Sequence, residues 1–224
     1  MKVTYVEFLK NILQGYSCGI PIYTSDLTQS LAAEFQLPTG DAAAAVAVAI
    51  KRIMDSGSIA DLRFFQKGIY YRTKKTPFGE TGINKEILIA DKYLAGNNGY
   101  ETGLALLHHM GLTTQIPTER VFATNKAANC IRADNALGIF ICPPKVRINA
   151  KNKAYLQTLD AIDSMNKAPI DADYPYHLMA EHIQKAGLDY GELLALAGKH
   201  YNRNTVFTLA QIAGVRSWNE PAFG

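Results

Sequence analysis

Residues 56–79 read SGSIADLRFFQKGIYYRTKKTPFG, and the fold of the N-terminal part of the chain is decided here. Two short apolar runs, Ile59–Leu62 and Ile69–Tyr71, flank a polar middle that ends in Lys67-Gly68. This pattern predicts a β-hairpin, with Gly68 near the turn because glycine adopts positive φ angles without steric cost.

The predicted hairpin is strongly basic. Between Leu62 and Thr76 the chain holds five basic residues and no acidic residue, namely Arg63, Lys67, Arg72, Lys74 and Lys75. The aromatic residues of the same segment are Phe64, Phe65, Tyr70 and Tyr71. Such a ribbon suits a wing that packs on a core through its aromatic rings and presents positive charge to phosphate groups.

Three predicted helices precede this hairpin. Apolar residues recur at helical spacing within Tyr5–Leu13, Asp26–Phe35 and Ala42–Ser56, and a short turn around Pro38 separates the second helix from the third. The buried stripe predicted for the third helix consists of Val46, Ile50, Ile53 and Met54. Helix, helix, tight turn, helix and basic hairpin is the order of a winged helix-turn-helix. We therefore predict that residues 1–76 form a DNA-binding domain of this type.

The third predicted helix has an unusual composition for a recognition helix. Residues 42–49 read AAAAVAVA and lack the Arg, Asn and Gln side chains that recognise base edges, although methyl groups can contact thymine. We therefore expect much of any DNA affinity to come from phosphate contacts by Lys51, Arg52 and the basic hairpin. The alternative is that this helix mainly forms a packing or dimerisation surface.

Residues 77–224 are predicted to form a mixed α/β region to about residue 150, followed by helices over residues 153–224. Arg120–Thr124 and Leu137–Cys142 are β-rich and predict neighbouring strands in a small sheet. Periodic apolar residues predict helices over Lys85–Ala95, Tyr100–Met110, Lys153–Met165, Tyr176–Ala186, Asp189–His200 and Thr205–Ile212. The fold class expected for the whole chain is α+β.

The formal net charge of +3 is distributed unevenly along the 224 residues. Residues 120–153 hold seven basic residues and a single acidic one, Asp134, and form a second basic segment beside the one in residues 1–76. This pattern favours localised phosphate contacts over a generally adhesive surface. The alternative is two solvated faces that have no partner.

Motifs for enzymatic chemistry are missing from the sequence. It contains no GxxxxGK[ST], GxGxxG or GxSxG motif, and Asp134 alone cannot supply the clustered carboxylates of a metal-dependent nuclease. The adjacent His108 and His109 would point about 100° apart on a helix, which disfavours a shared metal site. We expect no enzymatic activity, no cofactor and no bound metal.

The sequence also predicts a cytoplasmic protein. No apolar run approaches the roughly 20 residues that span a bilayer. Glu7 and Lys10 interrupt the apolar N-terminal stretch, which argues against a signal peptide. The odd number and wide spacing of Cys18, Cys130 and Cys142 indicate reduced, buried thiols.

Several motifs occur in an order that resembles a known family. They are FFQKGIYY, TPFG, GYETGLALLHHMGLTTQIP, RVFATN and IFICPPK, within about Ser25–Met165. Together they are similar to the AbiEi-type antitoxins, which are transcriptional regulators of type IV toxin–antitoxin (abortive infection) systems. The resemblance implies an N-terminal winged helix and an AbiEi-like antitoxin domain over residues 77–224.

The resemblance also implies partners. A protein of this family represses its own operon by binding double-stranded DNA in its promoter region. It counteracts a nucleotidyltransferase-like toxin without requiring a stable complex, and a homodimer is left open.

Two groups of basic residues would then be functional. The resemblance implies DNA contacts by Lys51, Arg52, Arg63, Lys67, Arg72, Lys74 and Lys75. It implies a basic face on the antitoxin domain made of Arg120, Lys126, Arg132, Lys145 and Arg147.

Two rival functions compete with that of a regulator. One is a protein-interaction module that uses a winged-helix scaffold without sequence-specific DNA binding, for which the alanine-rich third helix would be the contact surface. The other is a nuclease accessory or enzyme domain built on Arg120–Lys153.

Overall fold

The computed structural model describes residues 3–219, with side chains up to residue 215. Helices and strands both contribute, which confirms the predicted α+β class. The chain divides into two compact units, with the boundary between Leu88 and Ile89. None of the helices within residues 3–219 combines the length and the hydropathy that crossing a bilayer requires.

The first unit contains the three predicted helices. These are α1 (Tyr5–Gly15), α2 (Thr24–Phe35) and α3 (Thr39–Asp55). Thr4 begins α1 with a capping box, in which its hydroxyl accepts from the Glu7 amide while the Glu7 carboxylate accepts from the Thr4 amide. α1 ends two residues later than predicted, and α2 and α3 begin two and three residues earlier, because apolar periodicity marks the buried positions and not the helix ends.

The basic hairpin is present and belongs to a three-stranded antiparallel sheet. Its strands are β1 (Ile22–Tyr23), β2 (Leu62–Gln66) and β3 (Ile69–Arg72), in the order β1-β3-β2. Gly68 lies in the turn with a φ of +80°. The first arm is Leu62–Gln66 rather than Ile59–Leu62, because Ile59 instead contributes to the helical core before the strand begins.

The inward faces of the three helices form the core of the first unit. Val46, Ile50 and Ile53 of α3 are buried as predicted, and each contributes about 1.5–3 kcal/mol through the apolar area removed from water. Met54 was also predicted for this stripe but is exposed, because it lies about 100° further round the helix than Ile53.

The first unit continues beyond the hairpin. A second small hairpin, β4 (Lys75–Thr76) with β5 (Gly79–Glu80), is fixed by a 2.7 Å hydrogen bond from the Thr73 hydroxyl to the Thr81 carbonyl. The Asn84 amide then donates to the Gly19 carbonyl at 2.8 Å. The unit therefore extends to Leu88, past the boundary that the sequence analysis set after Thr76.

The second unit has a four-stranded mixed sheet in the order β6-β7-β9-β8. The strands are β6 (Gly99–Thr102), β7 (Val121–Thr124), β8 (Arg132–Asp134) and β9 (Ile139–Cys142). β7 and β9 are neighbours, as predicted, and they are parallel, whereas the β6–β7 and β8–β9 pairs are antiparallel.

The helix predicted over Tyr100–Met110 is wrong in its first part. Residues 99–102 form β6, and α5 (Gly103–His109) follows. Gly103 adopts a φ of +72°, which turns the chain between strand and helix and which other residues rarely adopt. A short apolar run does not distinguish a buried strand from a buried helix by periodicity.

The remaining elements of the chain are helical. The helix predicted over Lys85–Ala95 is broken into α4 (Lys85–Ile89), a π-helical turn (Ala90–Leu94) and a 3₁₀ turn (Ala95–Asn97). Asn84 caps α4 by accepting from the amides of Glu86 and Ile87. The last four helices are α6 (Lys153–Met165), α7 (Pro175–Lys185), α8 (Tyr190–His200) and α9 (Arg203–Asn219), whose apolar faces pack with α5 into one core.

Candidate nucleic-acid interface

Between Asp41 and Lys51 the outer face of α3 carries only small apolar side chains. Ala44, Ala47 and Val48 are exposed and lie opposite the buried stripe; we call these three residues the methyl stripe. Val48 is 51% exposed. Lys51 continues the same face one turn later, and the neighbouring Arg52 is also exposed.

Four of the predicted DNA contacts are exposed cations that form no ion pair with any residue in the described part of the chain. They are Lys51 and Arg52 on α3, Lys67 at the tip of the β2–β3 hairpin, and Lys74 just before β4. Lys75 is also exposed and lies opposite Glu80 in the β4–β5 pair. These five side chains are free to approach phosphate groups.

Arg72 has a different environment. Its Nε and Nη2 atoms donate to Asp61 Oδ2 at 2.9 and 2.7 Å. Its Nη1 atom donates to the carbonyls of Gln14 and Tyr16 at 2.6 and 3.1 Å. The hydrogen bonds to Asp61 hold the pKa of the guanidinium above its ordinary value. Arg72 therefore links the end of α1 to the hairpin. All three nitrogen atoms of its guanidinium group donate hydrogen bonds within the first unit.

Arg63 is also held in an ion pair. Its Nε and Nη2 atoms donate to the two carboxylate oxygens of Glu80 at 3.0 and 2.7 Å. Nη1 donates to the carbonyls of Ala60 and Leu62. The hydrogen bonds from Arg63 hold the pKa of Glu80 below its ordinary range. Arg63 thus fixes the second small hairpin against the first instead of presenting an unpaired charge.

The pairing of these two carboxylates with arginines was not predicted from the sequence. Asp61 and Glu80 lie outside the basic segment Leu62–Thr76, and no local pattern pairs them with arginines that are 11 and 17 residues away. The sequence shows only that Asp61 directly precedes the segment with five cations and that Glu80 follows it by four residues.

Two aromatic side chains add to the exposed basic surface. Phe64 was expected to pack behind the hairpin, but it is 55% exposed and contacts Tyr70 edge-to-face with ring centroids 5.6 Å apart. Phe78 in the β4–β5 turn is fully exposed. Aromatic rings beside cations can contact sugars or unstacked bases of a nucleic acid.

The predicted basic face of the second unit is spread over three strands and their connections. Arg120 Nε donates to Glu101 Oε1 at 2.7 Å, and its guanidinium lies 5.0 Å from the centroid of the Phe122 ring. The others are exposed: Lys126 follows β7, Arg132 begins β8, and Lys145 and Arg147 follow β9.

One of these residues, Lys145, lines a cleft of about 300 Å³ in the second unit. The cleft is also lined by Cys130, Cys142 and Asp160. Burial raises the pKa of the Cys142 thiol to about 11. The expectation of three buried thiols is wrong for Cys18 and Cys130, which are exposed.

Asp160 is the polar centre of this cleft. Its carboxylate accepts from the hydroxyls of Tyr100 and Tyr201 at 3.0 and 2.6 Å. Burial raises the pKa of Asp160, although the two tyrosine hydrogen bonds act in the opposite direction. Sequence reasoning missed this network because the two tyrosines lie 60 and 41 residues from Asp160 along the chain.

The two adjacent histidines serve separate contacts. His108 Nδ1 lies 3.2 Å from the Thr113 carbonyl, and His109 Nδ1 lies 2.8 Å from Glu101 Oε2. Within the described residues, no group of three or more His, Cys, Asp or Glu side chains is placed to hold a metal ion.

Comparison with protein families and with curated proteins found no match to the chain. The resemblance to AbiEi-type antitoxins stays a prediction from the quoted sequence motifs.

Proposed function

We propose that this protein is a transcriptional regulator that binds double-stranded DNA and that its first unit is a winged helix-turn-helix. The observation that carries the proposal is the order α1-β1-α2-α3-β2-β3 with exposed, unpaired cations on α3 and at the hairpin tip. In this arrangement α3 lies in the major groove and the β2–β3 hairpin contacts the adjacent backbone.

The proposed contacts divide the predicted basic residues into two groups. Lys51, Arg52, Lys67, Lys74 and Lys75 contact phosphates. Arg63 and Arg72 hold the hairpins in position through Glu80 and Asp61. Five neutralised phosphates correspond to a log–log salt dependence of the binding constant of roughly −4 to −5.

The biological role that we propose follows the resemblance. The protein acts in the cytoplasm, represses its own promoter, and is the antitoxin of a type IV toxin–antitoxin system. Its second unit counteracts a nucleotidyltransferase-like toxin, with Lys126, Arg132, Lys145 and Arg147 as its exposed basic residues. Arg120 supports that surface through Glu101.

A second candidate function has one observation in its favour. The methyl stripe of α3 is apolar and solvent-exposed, as expected of a surface that contacts another protein. In that case the first unit is a protein-interaction module and the cations only keep it soluble.

Fluorescence anisotropy distinguishes the two functions. The full-length protein is titrated against labelled DNA from upstream of its own gene and against scrambled DNA, over a series of KCl concentrations. We expect tighter binding to the upstream DNA and a log–log slope that Lys74→Ala plus Lys75→Ala flattens by about two.

The matched control is Lys185→Ala plus Lys199→Ala, which removes two exposed lysines from α7 and α8 and should leave the slope unchanged. Absence of binding to either DNA at low salt would refute DNA binding and favour the interaction module.

A further inference from the structure

We infer that α3 recognises thymine by its 5-methyl group, through the methyl stripe of Ala44, Ala47 and Val48. The inference rests on the proposed DNA binding and adds to it the chemical feature that determines which DNA sequence is preferred. It assigns specificity to apolar contact, with little hydrogen bonding to base edges.

The exposed face of α3 is poor in side chains that form hydrogen bonds. Between Gly40 and Lys51 its exposed side chains are those of Asp41, alanines and Val48. Alanine and valine neither donate nor accept hydrogen bonds, and an ionised Asp41 can only accept. This part of the helix therefore has no side-chain donor for the N7 and O6 acceptors of guanine or the N7 acceptor of adenine.

The major groove offers one feature that such a surface can recognise. The thymine methyl group is the apolar part of the base-pair edges exposed there. Short side chains also let the helix backbone come close to the groove floor, so that a methyl group on the protein can touch one on the base. Removing one such contact from water corresponds to about a fourfold change in affinity.

The cations that follow the stripe favour a polyanion as the partner, although the same face also carries the exposed acidic residues Asp41 and Asp55 at its two ends. Lys51 extends the same face, Arg52 lies beside it, and Lys67 is the exposed tip of the neighbouring hairpin. A stable protein–protein interface buries about 800 Å² on each partner and has few charges at its centre. Three short side chains followed directly by a lysine are a poor match to that kind of surface.

The inference is tested by replacing thymine with uracil throughout the upstream DNA. Because every thymine is replaced, the test does not require the position of the operator to be known. The upstream DNA of the gene is amplified once with dTTP and once with dUTP, so the two duplexes pair identically and differ in the 5-methyl groups. Affinity for each is measured by competition against a labelled thymine duplex. We expect the uracil duplex to bind the wild-type protein at least fourfold more weakly.

Two variants separate methyl contact from a general change in DNA shape. Val48→Ala shortens the largest side chain of the stripe at an exposed position, and it should reduce the preference for thymine over uracil. Lys74→Ala plus Lys75→Ala should weaken binding to both duplexes by the same factor and leave the preference unchanged. Circular dichroism establishes that each variant is folded.

The outcomes are distinct for the two proposals. Equal binding of both duplexes by the wild-type protein would overturn methyl recognition and leave DNA binding standing. A thymine preference that Val48→Ala does not alter would overturn the assignment to the methyl stripe. If neither duplex binds at low salt, the proposed function fails, and this inference fails with it.

Discussion

The hydroxyl of Tyr201, which directly follows α8, donates a 2.6 Å hydrogen bond to the carboxylate of Asp160 in the middle of α6. Burial raises the pKa of Asp160 and so disfavours its charged form, whereas the hydrogen bond from Tyr201 favours that form. The bond therefore does two things: it joins two helices of the second unit, and it partly offsets the cost of a buried carboxylate.

Tyr201→Phe should lower the free energy of unfolding by about 1–3 kcal/mol, because a largely buried acceptor loses its hydrogen-bond donor. Urea denaturation followed by circular dichroism gives this quantity. Tyr174→Phe is the matched control, since Tyr174 is 71% exposed, and it should leave the midpoint unchanged. A Tyr201→Phe midpoint equal to that of the wild type would mean that the hydrogen bond contributes nothing to stability.

Asp163 should make the protein more stable at neutral pH than in acid. Burial acts to raise its pKa, but hydrogen bonds from Lys167, Thr205 and Asn202 together hold the pKa below its ordinary value. A carboxyl whose folded-state pKa is depressed contributes stability above its unfolded-state pKa of about 4, and loses it as the pH falls through the folded-state pKa.

The pH dependence of Asp163→Asn measures this contribution. The difference in unfolding free energy between wild type and variant should be larger at neutral pH than below the ordinary aspartate pKa. Asp160 should show the opposite trend, because a carboxyl with a raised folded-state pKa loses stability as the pH rises from its unfolded-state pKa of about 4 through its folded-state pKa. A difference for Asp163→Asn that is constant with pH would contradict the depressed pKa.

The three cysteines should differ in reactivity. With a pKa of about 11, Cys142 holds little thiolate at pH 8, and its side chain is only partly accessible. Iodoacetamide should therefore label Cys18 and Cys130 before Cys142, as peptide mass spectrometry over a time course would reveal. Labelling in 6 M urea is the control that should equalise the three rates, and early labelling of Cys142 in the folded protein would contradict its burial.

Arg72 should matter for stability and not for the salt dependence of DNA binding. Arg72→Ala removes the hydrogen bonds to Asp61 and to the end of α1, and should cost about 1.5–3 kcal/mol of unfolding free energy. In DNA titrations at a temperature where the variant is folded, its log–log slope should equal that of the wild type. Lys67→Ala is the matched comparison, with unchanged stability and a slope flatter by about one.

A flatter slope for Arg72→Ala would show instead that the arginine leaves Asp61 and contacts phosphate when DNA binds. An unchanged unfolding midpoint would show that the link between α1 and the hairpin is dispensable.

Local sequence patterns were sufficient to predict the elements whose geometry depends only on residues close together in the chain. The turn at Gly68 needed only a glycine between two apolar runs, and the buried face of α3 needed only the spacing of Val46, Ile50 and Ile53. The cap at Asn84 was likewise predictable, since its side chain bonds to residues two and three positions later.

Features that depend on distant pairing were not predictable in this way. The strand state of residues 99–102 depends on pairing with β7, which lies about 20 residues later, and no local period reveals that pairing. The division of the arginines into paired and exposed charges depended on Asp61 and Glu80, which only the folded chain brings within hydrogen-bonding distance.

The hydrogen bond from the Asn84 amide to the Gly19 carbonyl closes the first unit upon itself, with all of its strands and helices α1 to α3 encoded before residue 85. Domains generally fold in order as they leave the ribosome, at about 5–20 residues per second. Synthesis of the 136 residues 89–224 takes roughly 7–27 s at that rate, so the first unit can fold while the second is still being made. A nascent chain would then form the surface proposed to bind DNA while still attached to the ribosome, before the unit proposed to act on the toxin.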